Sequence, residues 1–570
     1  MNSNVEKNRI RFIFFCFLIF ALILIVRLYY IQIIHGQEYI DRADRQYVSP
    51  SHTIFSRGSI FFQNKDGSLL GGGSLATGYI VSINPRKITD PEELYKSISE
   101  LLPIDMDTFY SKANQENSVY QKIADHVSEE LMKKVEALDI PAIQIEKERW
   151  RYYPGDDTAA RILGFVGYDG DKLVGRYGLE KYYEDVLSRN SSQTYVNFFA
   201  EVFSNIKQTI SDDSKREGDI VTSIEPTVES FLESKVVEIS KQYDSKLTGG
   251  IIIDPTTGEI YAMALSPSFD LNKFSEEEDI SVFNNPLVEG LYEMGSIIKP
   301  LTMAAGIDAG AVTSETKYND TGSLTLDTYT IYNHDKKSRG MVDMQEVLSQ
   351  SLNLGVSFVV RKMGKTKFAD YMRGYGLDEE TGIDLPSENH GRLENLNSPR
   401  DIEYATASFG QGISLTPIAT VRALSSLANG GKLITPHVVK KISYTSGLFN
   451  NISYVNEARQ VIKKETSEEI SRMLTVVVDK ALANGKVSLP NYSVAAKTGT
   501  AQIAKPGGGY YDDRWLHSFF GYFPSYKPRF LIFLYTVEPK GVPFASQTLT
   551  TPFMDTVKFL INYYNIPPDR

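Results

Sequence analysis

Residues 249–264 have the sequence GGIIIDPTTGEIYAMA, the stretch that decides the fold class of the larger part of the chain. Two apolar runs flank the PTTG tetrapeptide at 255–258, which is favourable turn chemistry, so the stretch predicts two strands joined by a tight turn. Three further strand-like segments follow much later, at 494–503, 518–523 and 530–537. The pattern between 290 and 480 is mostly helical. A sheet built from both ends of a domain, with helices inserted between them, is an antiparallel sheet sandwiched by helices.

The chain is long enough for several domains. Its 570 residues exceed what one hydrophobic core normally organises, and 42% hydrophobic with 23% charged residues is the composition of an ordinary folded protein. The composition changes near residue 245, so we place a carboxy-terminal domain at 245–570. A mixed, more polar stretch at 45–240 predicts a separate amino-terminal domain. The predicted fold class is multidomain α+β.

An apolar segment near the amino terminus predicts a transmembrane anchor. Positions 12–26 are fifteen consecutive apolar residues, and the run resumes after Arg27, so the 23 positions of 12–34 span a bilayer. Lys7, Arg9 and Arg11 precede the span, so the positive-inside rule makes 1–11 a cytoplasmic tail. No small-x-small cleavage site follows, which disfavours a cleaved signal peptide. We therefore expect a single-pass membrane protein whose folded domains lie outside the cytoplasm.

Charge and cysteine usage exclude several classes of function. The net charge is -11, from 60 basic and 71 acidic residues, and no dense basic run occurs, so a nucleic-acid partner is not expected. The single cysteine, Cys16, lies in the apolar run and cannot form an intramolecular disulfide. The seven histidines are scattered without metal-ligand spacing, so no metal site is predicted.

The first candidate for chemistry is a Ser-x-x-Lys pattern, which occurs three times, beginning at Ser204, Ser296 and Ser314. Only Ser296 follows a glycine and opens an apolar, helix-forming run. At three residues' separation, Ser296 and Lys299 share one face of the first turn. A serine hydroxyl becomes a good nucleophile when a neighbour takes its proton, and a lysine does so when burial or a second cation lowers its pKa. The alternative is an N-cap serine beside a solvated lysine.

Two later motifs favour the catalytic interpretation. Ser351 and Asn353 place a hydroxyl and an amide two residues apart, and Lys497-Thr498-Gly499 places a cation in a strand of small residues. Alone, the first is most often a helix cap and the second a strand end. In this order and in one domain they predict a serine acyl-transfer site in which Lys497 is the second cation that Lys299 needs.

These three motifs in this order resemble the signature of penicillin-binding proteins and serine β-lactamases. The segments YEMGS at 292–296, FGQG at 409–412 and FFGYFP at 519–524 are similar to class B penicillin-binding proteins. The resemblance is strong over about 245–565 and weak over about 45–235. It implies a serine β-lactamase-like transpeptidase domain at 245–570 and a pedestal, or dimerisation-like, domain at 45–240. Met294 departs from the pattern, because the family usually has proline there.

The resemblance implies a peptidoglycan D,D-transpeptidase. In that family the serine attacks the penultimate D-alanine carbonyl of a stem peptide, and an amine from a neighbouring strand resolves the acyl-enzyme. By motif, Ser296 is the nucleophile and Lys299 its base. Backbone N–H groups of Ser296 and Thr500 would form the oxyanion hole. The other implied roles are proton relay by Ser351 and Lys497, acyl-amide binding by Asn353, and substrate binding by Thr498, Gly499 and Thr500.

The resemblance also implies cellular partners. These are peptidoglycan stem peptides, β-lactam antibiotics, the bacterial cytoplasmic membrane, a membrane glycan polymerase and other septal proteins. No metal or organic cofactor is implied. The ending YYNIPPD at 563–569 is similar to division-type rather than elongation-type members. Three alternatives stay open: an elongation-type transpeptidase, a β-lactamase-like acyl enzyme, and a penicillin-binding scaffold without catalysis.

Overall fold

The computed structural model describes residues 55–115, 117–170, 172–189 and 217–570. The predicted tail at 1–11 and anchor at 12–34 lie outside these residues, as does Ser204. Each helix within the described ranges is too short or too polar to span a bilayer. From Ser56 onward the chain forms one continuous unit.

The amino-terminal region is a mixed α/β structure. Its strands are β1 (Ile60–Gln63), β2 (Leu69–Ile83), β3 (Gln121–Val127), β4 (Ile143–Tyr152), β5 (Val166–Asp169), β6 (Lys172–Gly175) and β7 (Gly218–Thr222). Its helices are α1 (Pro91–Ser99), α2 (Met106–Ala113), α3 (Glu129–Glu136), α4 (Ala160–Leu163), α5 (Gly178–Tyr182) and α6 (Glu184–Leu187), with a 3-10 turn at Pro85–Lys87. Apolar faces of the first three helices pack on β2 and β3 in a core of their own.

The carboxy-terminal region contains the longer helices. They are α7 (Pro226–Gln242), α8 (Lys299–Asp308), α9 (Met344–Ser349), α10 (Asn353–Met363), α11 (Lys365–Gly374), α12 (Asp401–Ala407), α13 (Pro417–Ser425), α14 (Lys464–Val476), α15 (Ala545–Thr548) and α16 (Thr550–Tyr563). Short 3-10 turns lie at Phe274–Glu276, Ile280–Phe283, Gly295–Ile298, Glu394–Asn397, Val455–Glu457 and Leu482–Gly485, and a π-turn at Val477–Ala481.

The strands of this region fall into one large sheet and several small ones. They are β8 (Leu247–Ile253), β9 (Ile260–Ser266), β10 (Lys317–Asp320), β11 (Ser323–Leu326), β12 (Tyr329–Tyr332), β13 (Gly340–Asp343), β14 (Lys432–Leu433), β15 (Val439–Tyr444), β16 (Phe449–Asn451), β17 (Arg459–Gln460), β18 (Ala495–Ala504), β19 (Tyr510–Phe523) and β20 (Phe530–Val537).

The large sheet has five antiparallel strands in the order β18-β19-β20-β8-β9. Every residue of β20 is buried, because helices cover both faces. Side chains of α7 and α16 fill the core on one face, and those of α8, α10 and α14 contribute to the core on the other. The predicted helix-covered sheet, with its strands drawn from both ends of the domain, is confirmed.

A second sheet crosses the predicted boundary between the two domains. Its order is β16-β15-β7-β1-β2-β3, with β4 also pairing with β2. Strand β7 lies parallel to β1 and antiparallel to β15, so two strands from the carboxy-terminal region, β15 and β16, complete the amino-terminal sheet. The main hydrophobic core likewise contains residues from both regions.

A buried ion cluster holds the amino-terminal region together. Glu180 is fully buried, and its carboxylate accepts from Arg57 Nε at 2.5 Å and from Arg151 Nε at 2.6 Å. Arg57 also donates to Glu184 at 2.7 Å, and the Tyr153 hydroxyl donates to Glu180 at 3.2 Å. The sequence analysis assigned no ion pairing to Arg57 or to the stretch at 164–180. The ion pairing was missed, since the partners lie far apart in the chain.

Arg57→Ala should destabilise the folded protein by about 3 kcal/mol, because removing one partner leaves the buried Glu180 carboxylate incompletely compensated. The measurement is the free energy of unfolding from urea denaturation followed by circular dichroism. Lys133→Ala is the matched control, since its ion pair with Glu129 is exposed and its loss should leave stability unchanged. Equal effects in the two variants would show that the cluster does not stabilise the fold.

Candidate active site

Ser296 lies in a 3-10 turn, Gly295–Ile298, directly before α8. The sequence predicted that Ser296 opens the α-helix itself, so the helix begins three residues later than expected. In a 3-10 turn, positions i and i+3 eclipse, which places Ser296 and Lys299 on the same face. Gly295 has φ +63°, and a Cβ there would lie 2.7 Å from the Thr500 carbonyl oxygen. Only glycine therefore suits this position, where the turn contacts strand β18.

Lys299 is fully buried beside Ser351. Its Nζ donates to the Ser351 carbonyl at 2.6 Å and to the Ser351 Oγ at 3.0 Å. Burial, helped by the charge of Lys497, holds the Lys299 pKa well below its usual value. A neutral amine has two N–H donors and one lone pair. Since Ser351 takes both donors, the lone pair is left to accept a proton.

Ser351 occupies a strained position between α9 and α10, with φ +55°. A non-glycine residue in this region costs free energy that the surrounding contacts must offset. The conformation turns both the carbonyl and the hydroxyl of Ser351 to the same amine. Ser351 therefore positions the Lys299 amine through two hydrogen bonds.

Lys497 lies near the start of β18 with 3% of its surface exposed. Its Nζ donates to the Thr498 carbonyl at 3.0 Å, and burial lowers its pKa to about 7. Two buried amines that repel each other's charge do not readily hold two protons. Near neutral pH, the pair with Lys299 is thus poised to gain or lose a single proton.

Asn353 is the first residue of α10, and its Nδ2 donates to the Tyr332 carbonyl at 2.8 Å. The next residue, Leu354, donates its backbone N–H to Asn333 Oδ1 at 3.3 Å. Asn333 is buried and bonds Asp320 at 2.9 Å. The segment after β12 therefore fixes the start of α10. Sequence reasoning missed it, because this polar stretch carries no recognisable motif.

Thr498, Gly499 and Thr500 lie on the edge strand β18, which pairs only with β19 among the described strands. A Cβ at Gly499 would lie 2.3 Å from Ser518 Oγ and 2.7 Å from the Met294 carbonyl. Thr500 Oγ1 accepts the Ala545 N–H at 3.0 Å, so its hydroxyl proton is free to donate elsewhere. Strand β18 and the turn that carries Ser296 are thus in direct contact.

Gly499→Ala should lower the rate of penicillin acylation by about a hundredfold, because a misplacement near 1 Å at a reacting centre has costs of this size. The new methyl group would push β18 away from the turn that carries Ser296. The measurement is the second-order acylation rate constant. Gly374→Ala, at the end of α11 where a Cβ meets nothing within 4 Å and φ is not positive, controls for a glycine substitution without steric conflict. Unchanged acylation in Gly499→Ala would contradict the close contact.

His334 is a titratable group at this site that the sequence did not indicate. Its ring lies 6.1 Å from that of Phe544. Partial burial lowers its pKa, Asp335 opposes that effect, and the charges of Lys299 and Lys497 add to it. The histidine is therefore within electrostatic range of both lysines.

The structure brings the three predicted motifs together. The turn carrying Ser296 contacts β18 through Gly295 and Gly499, and the second motif bonds Lys299. Ser314 lies elsewhere, in the loop before β10, where its carbonyl accepts the Gln345 N–H at 3.2 Å. The arrangement combines a hydroxyl, a buried amine with a lowered pKa and an open strand edge, which is what acyl transfer to serine requires.

Comparison with protein families identifies this architecture. The family described as "Penicillin binding protein transpeptidase domain" matches residues 248–557, more than half of the chain. This chain belongs to that family. A second family, described as "Penicillin-binding Protein dimerisation domain", matches residues 56–222. The two together are the class B arrangement, so the predicted family resemblance is confirmed.

Individual relatives of this penicillin-binding protein cover nearly its whole length. Stage V sporulation protein D of Bacillus subtilis is 29% identical over 97% of this chain and 85% of its own. Peptidoglycan D,D-transpeptidase MrdA of Acinetobacter baumannii is 28% identical over 93% of this chain and 84% of its own. The crystal structure of penicillin binding protein 3 from Mycobacterium tuberculosis, complexed with aztreonam, superposes with TM-score 0.69 at 20% identity, covering 91% of this chain and 98% of that one.

Proposed function

We propose that this chain is a serine peptidoglycan D,D-transpeptidase, which cross-links stem peptides in cell-wall synthesis through an acyl-Ser296 intermediate. The observation that carries the proposal is the buried Lys299 amine, whose two N–H donors are held by Ser351 and whose pKa is lowered by burial and by Lys497. Relatives named peptidoglycan D,D-transpeptidase support the same reaction.

Acylation begins with a proton transfer. The Lys299 lone pair takes the proton of Ser296 Oγ as that oxygen attacks the carbonyl carbon of the penultimate D-alanine. The carbonyl electrons move to oxygen, where backbone N–H groups of Ser296 and Thr500 stabilise the charge. The tetrahedral intermediate then expels the terminal D-alanine as the C–N bond breaks. Its nitrogen receives a proton through the Ser351 hydroxyl, replenished by the lysine pair.

Deacylation by an amine completes the cross-link. The amino group of a second stem peptide attacks the acyl-serine ester and gives up a proton to the Lys299 amine, the C–O bond to Ser296 breaks, and that proton passes to the serine oxygen. One peptide bond has formed and one has been broken, so no external energy source is required. Asn353 holds the acyl amide, Thr498 and Thr500 bind the terminal carboxylate, and Gly499 lets the donor backbone approach the strand edge.

Penicillin and other β-lactams act on the same serine. Opening of the strained ring by Ser296 leaves no departing fragment, so the leaving amine stays attached and blocks the attacking nucleophile. The adduct is therefore long-lived.

The cellular setting follows from the amino terminus and the last residues of the sequence. Residues 12–34 anchor the chain in the bacterial cytoplasmic membrane, with 1–11 inside and the catalytic domain outside. A membrane glycan polymerase supplies the strands to be cross-linked. The similarity of the ending at 563–569 to division-type members supports action at the septum with other septal proteins.

The test is intact-mass spectrometry of the full chain after penicillin exposure, combined with a cross-linking assay. We expect one stable adduct on the peptide containing Ser296, and a cross-linked dimer from a D-Ala-D-Ala donor and an amine acceptor. Release of the adduct within seconds would support a β-lactamase instead, and absence of an adduct would support a scaffold. Fluorescence microscopy of the tagged full-length protein in dividing cells tests its location. We expect fluorescence at the septum, and fluorescence along the lateral wall would support an elongation role instead.

A further inference from the structure

A small cavity lies between the amino-terminal and carboxy-terminal regions. Residues of 161–181 form one wall, and residues of 283–289 and 385–387 form the other. It offers about 40 Å³ to the centre of a water-sized sphere, which is room for about three waters or one small polar group. The cavity is separate from the cluster around Ser296.

The floor of the cavity contains an arginine without a carboxylate partner. Arg161 has 8% of its surface exposed. Its Nε donates to the Asn284 carbonyl at 2.9 Å, and its guanidinium lies 5.9 Å from the Phe269 ring centroid. The structure assigns its two terminal nitrogens no hydrogen bond or ion pair with any described residue. Burial lowers the Arg161 pKa to about 10, so the group remains charged at neutral pH.

The other charges around the cavity leave it positive. Arg176 and Lys181 line its rim and are exposed. Arg176 pairs with Asp169 at 3.0 Å, outside the lining. Glu289, the one acid in the lining, accepts the Asn285 N–H at 2.8 Å and lies beyond ion-pair distance of Arg161. A buried charge normally has a partner. The two terminal nitrogens of Arg161 have none among the described residues, which suggests that a ligand binds them.

We propose that this cavity binds the carboxylate group of a second molecule, with the Arg161 guanidinium as its anchor. The planar guanidinium can donate two parallel N–H bonds to the two oxygens of a carboxylate.

Occupation of the cavity would link two parts of the protein. Arg161 belongs to the amino-terminal region, whereas the opposite wall at 283–289 leads within a few residues to Ser296. That wall is itself held in place: Leu287 and Val288 carbonyls accept from Ile418 at 3.0 Å and Asn389 at 3.1 Å. A bound carboxylate therefore stabilises the junction next to the segment that carries the serine.

The test is thermal unfolding of the full chain in detergent, titrated with sodium acetate at constant ionic strength against sodium chloride. We expect a saturable rise of the midpoint in the wild type. Arg161→Gln should weaken the apparent acetate affinity by about tenfold or more, because a charge-assisted pair is lost. Arg400→Gln, which removes a surface arginine paired with Glu403 at 3.1 Å, should keep the full response.

Several results would overturn the proposal. An acetate response that is absent in the wild type, or equal in wild type and Arg161→Gln, would remove Arg161 as an anchor. A response to inorganic phosphate alone would replace the carboxylate by a different oxyanion. Should Arg161→Gln fail to fold, Arg161→Lys keeps the charge without the fork, and its acetate affinity must fall below that of the wild type. Penicillin labelling is a separate measurement, so failure here leaves the proposed reaction untouched.

Discussion

Ser296→Ala should abolish covalent labelling by a fluorescent penicillin while leaving the fold intact. The hydroxyl of Ser296 is the only atom lost, and the turn that carries it is fixed by Gly295 and by Ser518, whose Oγ donates to the Met294 carbonyl at 2.8 Å. Alanine suits this turn, so the thermal midpoint should stay within the usual range of a surface substitution. Labelling is read by in-gel fluorescence after denaturation, which detects only covalent adducts.

Ser314→Ala is the control for this experiment. Ser314 also begins a Ser-x-x-Lys match, but it lies in a loop away from Lys299 and β18. Its variant should label at the wild-type rate. Labelling that survives in Ser296→Ala, or disappears in Ser314→Ala, would place the nucleophile elsewhere.

Lys497→Met should slow penicillin acylation by about 10²–10⁴-fold, the range associated with losing general acid–base assistance. Without the charge of Lys497, the pKa of Lys299 rises, so less of its amine is free to take the serine proton. In the wild type, acylation should increase with pH as the Lys299 amine, whose pKa is lowered by burial and by the charge of Lys497, loses its proton. In the variant this rise should shift to higher pH. The measurement is the acylation rate constant from pH 5 to 10, and an unchanged rate would mean that burial alone tunes Lys299.

The same variant should be more stable than the wild type at neutral pH. The Lys497 pKa is lowered to about 7 in the folded state from 10.5, so folding must release a proton. This penalty is complete below about pH 7, shrinks as pH rises, and is gone above 10.5. At about 1.4 kcal/mol per pKa unit, it amounts to a few kcal/mol.

Urea denaturation at pH 7 and at pH 10 tests whether Lys497→Met raises the free energy of unfolding. The stabilisation by Lys497→Met should be large at pH 7 and small at pH 10. Lys505→Met is a suitable control, since Lys505 is exposed just after the same strand and its loss should change stability little at either pH. A variant that is less stable than the wild type at pH 7 would refute the buried-amine penalty.

The parts of the fold that could be predicted from sequence are those with local patterns. The apolar runs and the turn chemistry at 249–264 predicted β8 and β9, and the apolar run at 530–537 coincides with β20. Strand β19 was predicted from 518 but begins at Tyr510. Its first residues are polar and form a hairpin arm beyond the core, where no apolar pattern marks a strand.

Contacts between distant polar residues were not predictable. The Arg57–Glu180 ion pair and the Asn353–Tyr332 hydrogen bond join segments without periodicity, so no local signal links them. The three motifs, taken in their order along the chain, predicted that the segments of Ser296, Ser351 and Lys497 meet at one site. The 3-10 turn at Ser296 was missed because its cause, the close approach of Thr500 to Gly295, is a tertiary contact.

The pairing of Leu247 with Val537 has a consequence for biosynthesis. Strand β8 leaves the ribosome long before β20, its neighbour in the sheet, so the sheet that carries Lys497 closes only when almost the whole chain has been made. Contacts of such sequence separation form slowly. An incomplete nascent chain would therefore hold Ser296 and Lys299 apart from β18. Competence for acylation arises last, once the carboxy-terminal strands have been made, and a truncated translation product is unreactive towards penicillin.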